Sequence, residues 1–414
     1  MGWTNIFLTL TQILITIFGL HFVIVAAFLL KKKRDYPEKN PATRFAVLIA
    51  ARNEADVIEG LLTSLKEQDY PDDLYDVFVI PNNCTDRTEE VAQEAGVRIY
   101  HCPYPVRTKG EVLHQTIPHI LSDSARYDAI CVFDADNIVD PAYLSRMNDA
   151  FCAGVRAAQG YRDSKNPYDS WVSASYSIYF KMNNLFYNKP RSLAGMSALI
   201  SGTGFCACRE VFEKLNGWNT RSMTEDSEFT SQCVLAGEQI AYIENARFFD
   251  EQPIRFRDSL KQRKRWSNGL LEVSNLYRGR FLKAYSQEKK FVFWDYFMFT
   301  MTPFAQILSV LPFVLPVLTM ILTQPSRLVS LLFWAKLLLP VLTAYLGTIL
   351  MASVTVLYRC SWDRRIMKGV LGYGPFLLSW IPLQFYCLFH KKAAWEEIRH
   401  TRNIRKEKLL KNEF

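Results

Sequence analysis

Hydrophobic residues form four long, nearly uninterrupted stretches in this chain. The first covers residues 6–30 and is followed at once by a basic run at residues 31–34. Three more lie in the C-terminal third, at residues 303–323, 328–357 and 370–389. About 20 consecutive apolar residues in a helix cross the hydrocarbon core of a bilayer, so each stretch is predicted to be a transmembrane helix.

The first apolar stretch is predicted to be an uncleaved membrane anchor. A secretory signal carries its positive charges before the apolar run and a small-residue cleavage site after it. Here the charges follow the run, at Lys31, Lys32, Lys33 and Arg34. A buried core helix is the alternative, and the length of the stretch and its abrupt basic end argue against it.

Between residues 43 and 271 the pattern changes to short apolar runs that alternate with amphipathic stretches. Examples of the short runs are Phe45–Ile49, Val77–Ile80 and Ala129–Phe133. Runs of this kind, separated by helical periodicity, are typical of buried parallel strands joined by crossover helices. We therefore predict an α/β domain with a mostly parallel sheet and flanking helices, in which ligands bind beyond the carboxyl ends of the strands.

These patterns divide the chain into four parts. Residues 1–34 form the predicted anchor, residues 35–275 a globular domain ending in an interfacial helix, residues 276–390 interfacial and transmembrane helices, and residues 391–414 a basic tail. Basic residues favour the cytoplasmic side of a membrane. The basic run after the anchor therefore predicts a multi-pass protein of the plasma membrane with its globular domain in the cytoplasm.

The number of spans conflicts with the charge of the tail. Three C-terminal spans would leave the tail outside, although Lys391, Lys392, Arg399 and Arg402 begin a strongly basic segment there. Either one segment is re-entrant or interfacial, or the proline-containing stretch that starts at Phe291 crosses the membrane differently. The sequence leaves both alternatives open.

The formal net charge of +8, from 49 basic and 41 acidic residues, does not indicate nucleic-acid binding. Much of the lysine and arginine lies next to the ends of the apolar stretches, where the positive-inside rule accounts for it. The nine cysteines contain no C-x-x-C pair, which argues against a disulfide framework and a zinc site. We expect reduced thiols, with Cys206 and Cys208 as packing residues of a strand.

Three polar clusters lie in a fixed order before the C-terminal apolar region: Asp134-Ala135-Asp136, Thr224-Glu225-Asp226 and Gln262-Arg263-Lys264-Arg265-Trp266. The ordered set resembles the membrane-bound inverting glycosyltransferases of family 2, a group that includes cellulose, hyaluronan and poly-N-acetylglucosamine synthases. The resemblance covers the layout of the whole chain, although each motif alone is weak. It implies a GT-A nucleotide-sugar-binding fold and a UDP-sugar donor.

The first cluster suits a divalent cation. Asp134 and Asp136 stand two residues apart at a strand end, so both carboxylates can face the ligand crevice, and oxygen ligands of this kind favour Mg²⁺ or Mn²⁺. The resemblance implies that Asp136 binds the metal and that Asp134 contacts the nucleotide or shares the metal. A pair of solvated turn carboxylates is the alternative.

The second cluster offers a general base. Inverting transfer requires a group that accepts the proton of the attacking hydroxyl, and the resemblance assigns this role to Asp226, the last residue of the family's T-E-D motif. Glu225 then holds local structure, and Glu228 is the nearest rival for the base. Acidic residues also suit the first turn of a helix, a role compatible with catalysis.

The third cluster places Gln262, Arg265 and Trp266 on one face of a helix. Gln262 and Arg265 are predicted to bind the donor, and the Trp266 indole offers a stacking surface for an acceptor sugar. Arg263 and Lys264 lie round the side and are predicted to meet lipid headgroups or solvent. A basic amphipathic helix at the membrane surface is the alternative, and it is compatible with the motif.

Two further segments are candidates for the same pocket. Gly202, Thr203 and Phe205 are predicted to contact the acceptor, although glycines in a strand can equally mark a bulge. Lys109, before a helix, resembles the family's K-G and is predicted to contact the donor; a solvated lysine is the alternative. The family's second strand commonly ends in Asp-Asp-Gly-Ser, whereas this chain has Asn82-Asn83, and Asn83 can still hydrogen-bond a uracil edge.

The sequence favours a processive enzyme that extends a β-linked polysaccharide from a UDP-sugar and exports it across the membrane. With few spans, such an enzyme would need a second copy or an accessory subunit to complete a pore. A second hypothesis is transfer of one sugar to a lipid carrier or glycolipid. A third, of another class, is an inactive sugar-binding subunit, against which the intact Asp134, Asp136 and Asp226 argue.

Overall fold

The structure is a computed structural model that describes residues 2–32, 36–122, 127–323, 330–359 and 363–390. Two features used in the topology prediction, the basic residues Lys33 and Arg34 and the tail at 391–414, lie outside the described residues.

One eight-stranded sheet forms the centre of the described part of the globular domain, in the order β3-β2-β1-β4-β7-β6-β8-β5. The strands are β1 Phe45–Ala51, β2 Tyr75–Pro81, β3 Arg98–Ile99, β4 Ala129–Asp134, β5 Ile138–Val139, β6 Ala157–Ser164, β7 Phe205–Cys208 and β8 Ile240–Asp250. The first four strands of the chain pair in parallel, as do β6 and β8, whereas β7 runs antiparallel to both its neighbours and β5 to β8. The sheet is therefore mixed.

Helices flank the sheet and then continue toward the C-terminus. The helices up to the end of the sheet are α1 Gly2–Ala26, α2 Ile58–Lys66, α3 Thr88–Glu94, α4 Lys109–Ser122, α5 Tyr143–Cys152, α6 Trp171–Met182, α7 Lys189–Leu193, α8 Arg209–Lys214 and α9 Glu225–Leu235. Those that follow are α10 Phe256–Glu288, α11 Phe291–Thr300, α12 Thr302–Leu308, α13 Leu311–Thr323, α14 Leu331–Arg359, α15 Met367–Leu378 and α16 Trp380–Phe389.

The central strands are apolar throughout because both of their faces are covered. Side chains alternate between the two faces of a strand, so Val47 and Ile49 of β1 join the core beneath α2 and α5, while Ala46 and Leu48 join the core beneath α4 and α9. This double burial leaves the carboxyl ends of β1, β2 and β4 as the accessible edge at which a site can form.

The register of β4 and β7 brings two cysteines together. Cys131 and Cys206 lie directly opposite each other on these antiparallel strands, and the structure joins them by a disulfide. The expectation of reduced thiols is therefore wrong for this pair, because the pairing of strands far apart in the sequence determines which cysteines meet.

Within the described ranges, four helical segments are long and apolar enough to cross a membrane. They are Ile6–Leu30, Thr302–Thr323, Leu332–Tyr358 and Arg364–Phe389, and they coincide closely with the predicted stretches. α13 packs on α1, α14 packs on α15 and α6, and α10 packs on α11 and α16. The continuous helix α10 passes residue 275 without a break, and the division of the chain at that residue stays a prediction.

Candidate active site

A cavity of about 1120 Å³ begins at the carboxyl ends of β1, β2 and β4 and continues between the C-terminal helices. Its inner end is lined by polar residues of the sheet and of α4, α9 and α10. Its outer half is lined by residues of α12, α14 and α16. These helices belong to the C-terminal segments that are long and apolar enough to cross a membrane. The cavity therefore joins the sheet edge to the apolar helices.

Asp134 lies at the end of β4 and contacts the start of α4. Its carboxylate pairs with the Lys109 ammonium group, and the same group donates to the Gly202 carbonyl oxygen at 2.8 Å. The Asp134 N–H donates to Thr203 Oγ1 at 2.9 Å, which fixes the strand end. Burial opposes ionisation, but Lys109, with Arg162 further away, holds the pKa of Asp134 below its usual value.

Asp136 is only 3% exposed and is held by the end of β8. Its Oδ2 atom accepts from the Glu251 N–H at 3.2 Å, and its backbone oxygen accepts from Lys165 Nζ at 2.7 Å. The neighbouring Asp250 is buried, and burial together with the charges of Asp136 and Asp134 raises its pKa to about 6 despite the contact with Arg162. Negative charge is therefore concentrated at this edge.

The carboxylates of Asp134 and Asp136 fit a divalent cation of the hard, oxygen-binding kind. Both line the cavity, and carboxylate oxygens are the ligands that Mg²⁺ and Mn²⁺ favour. Among the described residues no group of three or more histidine, cysteine, aspartate or glutamate side chains could hold a metal. A cation bound by these two carboxylates would therefore take its remaining ligands from water or from a diphosphate.

Arg162 of β6 is a site residue that the sequence reasoning missed. Its guanidinium group forms a buried ion pair with Asp250, donates through Nη1 to the Ser201 carbonyl oxygen at 2.8 Å, and lies 3.9 Å from the Phe180 ring centre. It lines the cavity beside the carboxylates of Asp134 and Asp136. No local motif surrounds Arg162, and its partner Asp250 is 88 residues away in the sequence.

Glu225 and Asp226 open α9 and face the cavity as a half-buried pair of carboxylates. Burial, followed by the charge of Asp226, raises the pKa of Glu225 to about 7. Burial also raises the pKa of Asp226, although the Ser227 N–H donates to its Oδ1 atom at 2.7 Å. The pair can hold a proton near neutral pH, which is the property expected of a general base.

Glycines let other segments approach this pair closely. A β-carbon built on Gly202, where φ is +82°, would lie 3.4 Å from Asp226 Oδ2. One built on Gly110 would lie 3.3 Å from the Glu225 β-carbon, and one on Gly269 of α10 would lie 2.5 Å from Thr224 Cγ2. The T-E-D segment is therefore enclosed by three chain segments.

Glu228, the rival for the base, has another role. It is 3% exposed, and its Oε2 atom accepts from the backbone N–H groups of Arg221 and Ser222 at 2.8 and 2.7 Å. Its Oε1 atom accepts from the Tyr277 hydroxyl at 3.2 Å. Glu228 does not line the cavity. Its hydrogen bonds instead hold the turn that leads into Asp226.

The Q-x-x-R-W face of α10 points into the cavity, where Gln262, Arg265 and Trp266 are all lining residues. The Trp266 indole meets the Tyr176 ring edge to face, with centroids 6.0 Å apart, and makes a similar contact with Trp380 at 6.5 Å. Gln262 Oε1 is buried and finds no hydrogen-bond partner in the described part of the chain.

Arg263 does not meet headgroups or solvent as predicted. Its residue exposure is 0%, and its Nη1 atom donates to the Phe376 carbonyl oxygen at 2.9 Å and to Ser379 Oγ at 2.7 Å. The helices α15 and α16 cover this side of α10, so Arg263 ties the motif helix to the apolar C-terminal helices.

Three predicted site residues lie outside the cavity lining. Asn83 is exposed and donates to the Val106 carbonyl oxygen at 2.8 Å, while the neighbouring Asn82 lines the cavity and bonds Arg52. Thr203 is buried beneath Asp134, as described above. Phe205 is buried in the core and stacks on Trp218 with centroids 5.8 Å apart.

The family of the chain follows from comparison with known proteins. A family model described as "Glycosyltransferase like family 2" matches residues 41–269. The chain belongs to glycosyltransferase family 2. The matched segment contains the carboxylates of β4 and α9 and ends at Gly269.

Curated relatives of this family 2 glycosyltransferase differ in their named products. Probable glycosyltransferase YdaM of Bacillus subtilis is 26% identical over 322 residues, 73% of this chain and 74% of its own length. A β-monoglucosyldiacylglycerol synthase of Nostoc sp. is 25% identical over 329 residues, 77% of this chain and 67% of its own. A poly-β-1,6-N-acetyl-D-glucosamine synthase of Staphylococcus aureus is 26% identical over 234 residues, 55% of this chain and 54% of its own.

A solved structure extends the likeness to the arrangement of the whole chain. The mannosyltransferase PcManGT from Pyrobaculum calidifontis, in complex with GDP-Man and Mn²⁺, superimposes with a TM-score of 0.62 at 18% identity. The match covers 94% of this chain and 99% of the mannosyltransferase chain. This family 2 glycosyltransferase therefore has the GT-A fold, with a mixed sheet, flanking helices and apolar C-terminal helices.

A π-helical turn at Asn183–Asn188 is a further part of the site that sequence reasoning missed in this glycosyltransferase. It joins α6 to α7 and contributes Asn184, Tyr187 and Asn188 to the cavity lining. Turns of this type interrupt α-helices frequently at functional sites. The polar run Asn183-Asn184 in an otherwise apolar helix was the available sequence signal.

Proposed function

We propose that this glycosyltransferase transfers one sugar from a UDP-sugar to a hydroxyl group of a membrane lipid, with inversion at the anomeric carbon. The observation that carries the proposal is the continuous cavity, because it joins the carboxylates of the sheet edge to residues of α12, α14 and α16. A water-soluble donor and a membrane-embedded acceptor would therefore enter the site from opposite ends.

The donor is assigned to the inner end of the cavity. Lys109 and Arg265 line this end together with Asp134 and Gln262. Fixed cations at this place would bind the diphosphate oxygens, and the planar guanidinium group of Arg265 suits two of them at once. Asn82 is the asparagine of the second strand end that faces this space, and the proposed uracil contact of Asn83 would require its bond to Val106 to open.

The proposed cofactor is Mg²⁺ or Mn²⁺, with Asp136 and Asp134 as its protein ligands. Such a cation would neutralise the charge that grows on the diphosphate as the sugar leaves. The side chains of Lys109, Arg162 and Arg265 surround the same carboxylates and would limit the negative charge at the site.

Asp226 is the proposed general base. The acceptor oxygen attacks the anomeric carbon, its proton moves to the Asp226 carboxylate, and the bond between that carbon and the phosphate oxygen breaks to release UDP. The raised pKa values of the half-buried Glu225–Asp226 pair support this role, because a base is most effective when its pKa lies near the working pH. Glu225 is proposed to raise the pKa of Asp226 through the negative charge of its neighbouring carboxylate.

The outer half of the cavity supports a lipid acceptor. It is lined largely by apolar side chains, including Phe313, Val341, Ala344 and Leu378. The last three are exposed, so this half is not sealed by packing between helices. In a bilayer these side chains would contact acyl chains, and a lipid headgroup could extend from there toward Trp266 and Asp226.

Extension and export of a β-linked polysaccharide is the second candidate. Two observations favour it: poly-N-acetylglucosamine synthases are among the relatives, and Trp266 lines the cavity where a sugar could stack. The lipid acceptor is preferred because a polymer would need a closed polar channel, whereas the outer half is mostly apolar and unsealed. A second copy or an accessory subunit would be required to close such a channel.

The proposed location is the plasma membrane, with several spans and the catalytic part in the cytoplasm, where UDP-sugars are made available. The interaction partners are then the donor, the lipid acceptor and the bilayer itself. Nucleic acid is not among the proposed partners, because the basic residues of the cavity surround a pocket that also contains acidic residues.

Product analysis tests the proposed function. The purified protein in lipid nanodiscs is incubated with Mn²⁺ and, separately, with UDP-glucose, UDP-galactose and UDP-N-acetylglucosamine, and an Asp226→Asn sample provides the inactive control. The expected product is a lipid heavier by one sugar in the organic extract for at least one donor. A water-soluble polymer without a glycolipid would support the second candidate, and no product from any donor would contradict both.

A further inference from the structure

We infer that Gln306, Trp380 and Gln384 form a headgroup subsite that selects an uncharged, hydroxyl-bearing lipid as the acceptor. The inference rests on the proposed function and adds to it the chemical class of the acceptor and the residues that recognise it. Three observations support it: unpartnered polar atoms, the absence of charged side chains among the lining residues around them, and the position of the helices that carry them.

The first observation is a set of buried polar atoms without partners. Gln306 Oε1, Gln384 Oε1 and Trp380 Nε1 are shielded from solvent and have no hydrogen-bond partner among the described residues. Gln384 as a whole is only 3% exposed. All three residues line the outer half of the cavity. Leaving such an atom unpaired is unfavourable, so a ligand that pairs with it is favoured.

Other polar side chains of the same region are already occupied. The Tyr345 hydroxyl donates to the Leu371 carbonyl oxygen at 3.0 Å, Thr348 Oγ1 donates to the Tyr345 carbonyl oxygen at 2.7 Å, and Ser309 Oγ donates to the Gln306 carbonyl oxygen at 2.6 Å. The two amide oxygens and the indole N–H differ from these three hydroxyl groups in having no partner among the described residues, a property they share with Gln262 Oε1 nearer the sheet.

The unpaired atoms define the chemistry of the ligand. Each glutamine oxygen accepts a hydrogen bond, which a hydroxyl group can donate, and the Trp380 N–H donates, which a hydroxyl or an ester carbonyl oxygen can accept. A glycerolipid with a free hydroxyl group and ester carbonyls offers both kinds of group in one headgroup region.

The second observation is electrostatic. The described residues from α11 onward that line the cavity carry no charged side chain; the lining cations, including Arg52, Lys109 and Arg265, all lie at the inner end. The nearby Arg263 does not line the cavity: it is fully buried behind the Trp380 ring, its Nη1 atom is bonded to Phe376 and Ser379, and its Nη2 atom has no partner among the described residues. A phosphate held beside the two glutamines would lack a compensating charge, which disfavours an anionic acceptor.

The third observation is position. α12 packs against α16, so Gln306 and Gln384 lie on adjacent helices. From α12 through the turn after it to the start of α13, the cavity-lining residues Thr302, Gln306, Ser309 and Phe313 recur every three or four residues. Polar positions come first and an apolar position follows in this series. A headgroup held at Gln306 would therefore have its acyl chains beside Phe313.

The test measures acceptor selection in nanodiscs with the UDP-sugar that the protein uses. Gln306→Leu and Gln384→Leu remove one acceptor atom each with little change in volume, and Trp380→Phe removes the N–H and keeps an aromatic ring. We expect each change to raise the KM for dioleoylglycerol about tenfold, as loss of one hydrogen bond predicts, with the KM for the UDP-sugar within about twofold of the wild-type value. Polyprenyl phosphate should be at least about a hundredfold poorer as an acceptor.

Gln12→Leu provides the matched control, because Gln12 is an exposed glutamine of the apolar helix α1 outside the cavity. It should change neither KM. An unchanged dioleoylglycerol KM in all three cavity variants, or a preference of the wild-type protein for polyprenyl phosphate, would overturn the inference while glycolipid formation itself still stood. Failure of the wild-type protein to glycosylate either lipid would overturn both the inference and the proposed function.

Discussion

Gly269 of α10 lies directly against Thr224: a β-carbon built on the glycine would stand 2.5 Å from Thr224 Cγ2 and 2.7 Å from the Thr224 backbone nitrogen. Thr224 begins the T-E-D segment, and Gly269 follows Trp266 by one helical turn. The helix that carries Gln262, Arg265 and Trp266 therefore supports the segment that carries Asp226. The two motifs form one structural unit, although 35 or more residues separate them in the sequence.

This contact predicts that Gly269→Ala lowers turnover. The added methyl group cannot fit against the Thr224 backbone, so the T-E-D segment must move, and a displacement of a few tenths of an ångström at the base is expected to reduce kcat at least about tenfold. Gly279→Ala is the matched control on the same helix, because its β-carbon would have nothing within 4 Å. Full activity in Gly269→Ala, with the control also active, would show that the contact does not position Asp226.

Asp226→Asn is expected to remove transfer and to preserve binding of the UDP-sugar. The amide keeps the shape of the side chain but cannot accept the proton of the acceptor, and loss of a general base costs about 10² to 10⁴ in rate. Turnover and calorimetric binding of the donor are the two measurements. Glu228→Gln, two residues later and outside the cavity, should lower the melting temperature and leave kcat near the wild-type value. A loss of kcat in Glu228→Gln larger than that in Asp226→Asn would exchange the two assignments.

The pH dependence of kcat/KM should respond to Glu225. Transfer requires deprotonated Asp226, so activity falls as the pH falls through the titration of the Glu225–Asp226 pair, whose Glu225 member has a pKa raised to about 7. The interaction between the two carboxylates is mutual. Glu225→Gln removes one negative charge, lowers the pKa of Asp226 and should move the acid limb to lower pH. An acid limb that stays in place, or moves to higher pH, would contradict the coupling.

The strands could be predicted from the sequence where burial on both faces leaves a continuous apolar run. Phe45–Ala51 and Ala129–Asp134 confirm this part of the prediction. β6 carries Arg162 and its neighbour β8 ends at Asp250, so these strands lack such a run. Arg162 and Asp250 pair at the site, and a contact between segments 88 residues apart cannot be predicted from the local sequence pattern.

Site residues were predictable to the level of a motif and less well to the level of a side chain. Helical spacing predicted one shared face for Gln262, Arg265 and Trp266, and all three line the cavity, because that face depends on the helix alone. The burial of Arg263 depends on α15 and α16 packing beside it, which spacing cannot indicate. The same limit applies to Asn82 and Asn83. Neighbouring residues point in opposite directions at a strand end, so a one-residue error in the predicted end of β2 selects the wrong asparagine.

Removal of divalent cations is expected to stop turnover, and added Mn²⁺ or Mg²⁺ should restore it. Asp136→Ala should weaken metal-dependent binding of UDP, measured by titration calorimetry with and without EDTA, because it removes one of two proposed metal ligands. Asp128→Ala is the control, because Asp128 lies just before the start of β4, at the end of the strand away from the site. Its carboxylate accepts from the Arg44 N–H at 2.7 Å. Undiminished turnover in EDTA would contradict the assignment of Asp134 and Asp136.

The most direct test of the account is the stoichiometry of the complete reaction. UDP released and lipid glycosylated are measured in the same nanodisc sample, with the Asp226→Asn rate subtracted as background. Single transfer to a lipid at Asp226 predicts one UDP released for each acceptor molecule converted, and a glycolipid that carries one sugar even after most of the donor is consumed. Many UDP molecules released per acceptor, with sugar chains that lengthen over time, would contradict the account and establish a polymerase.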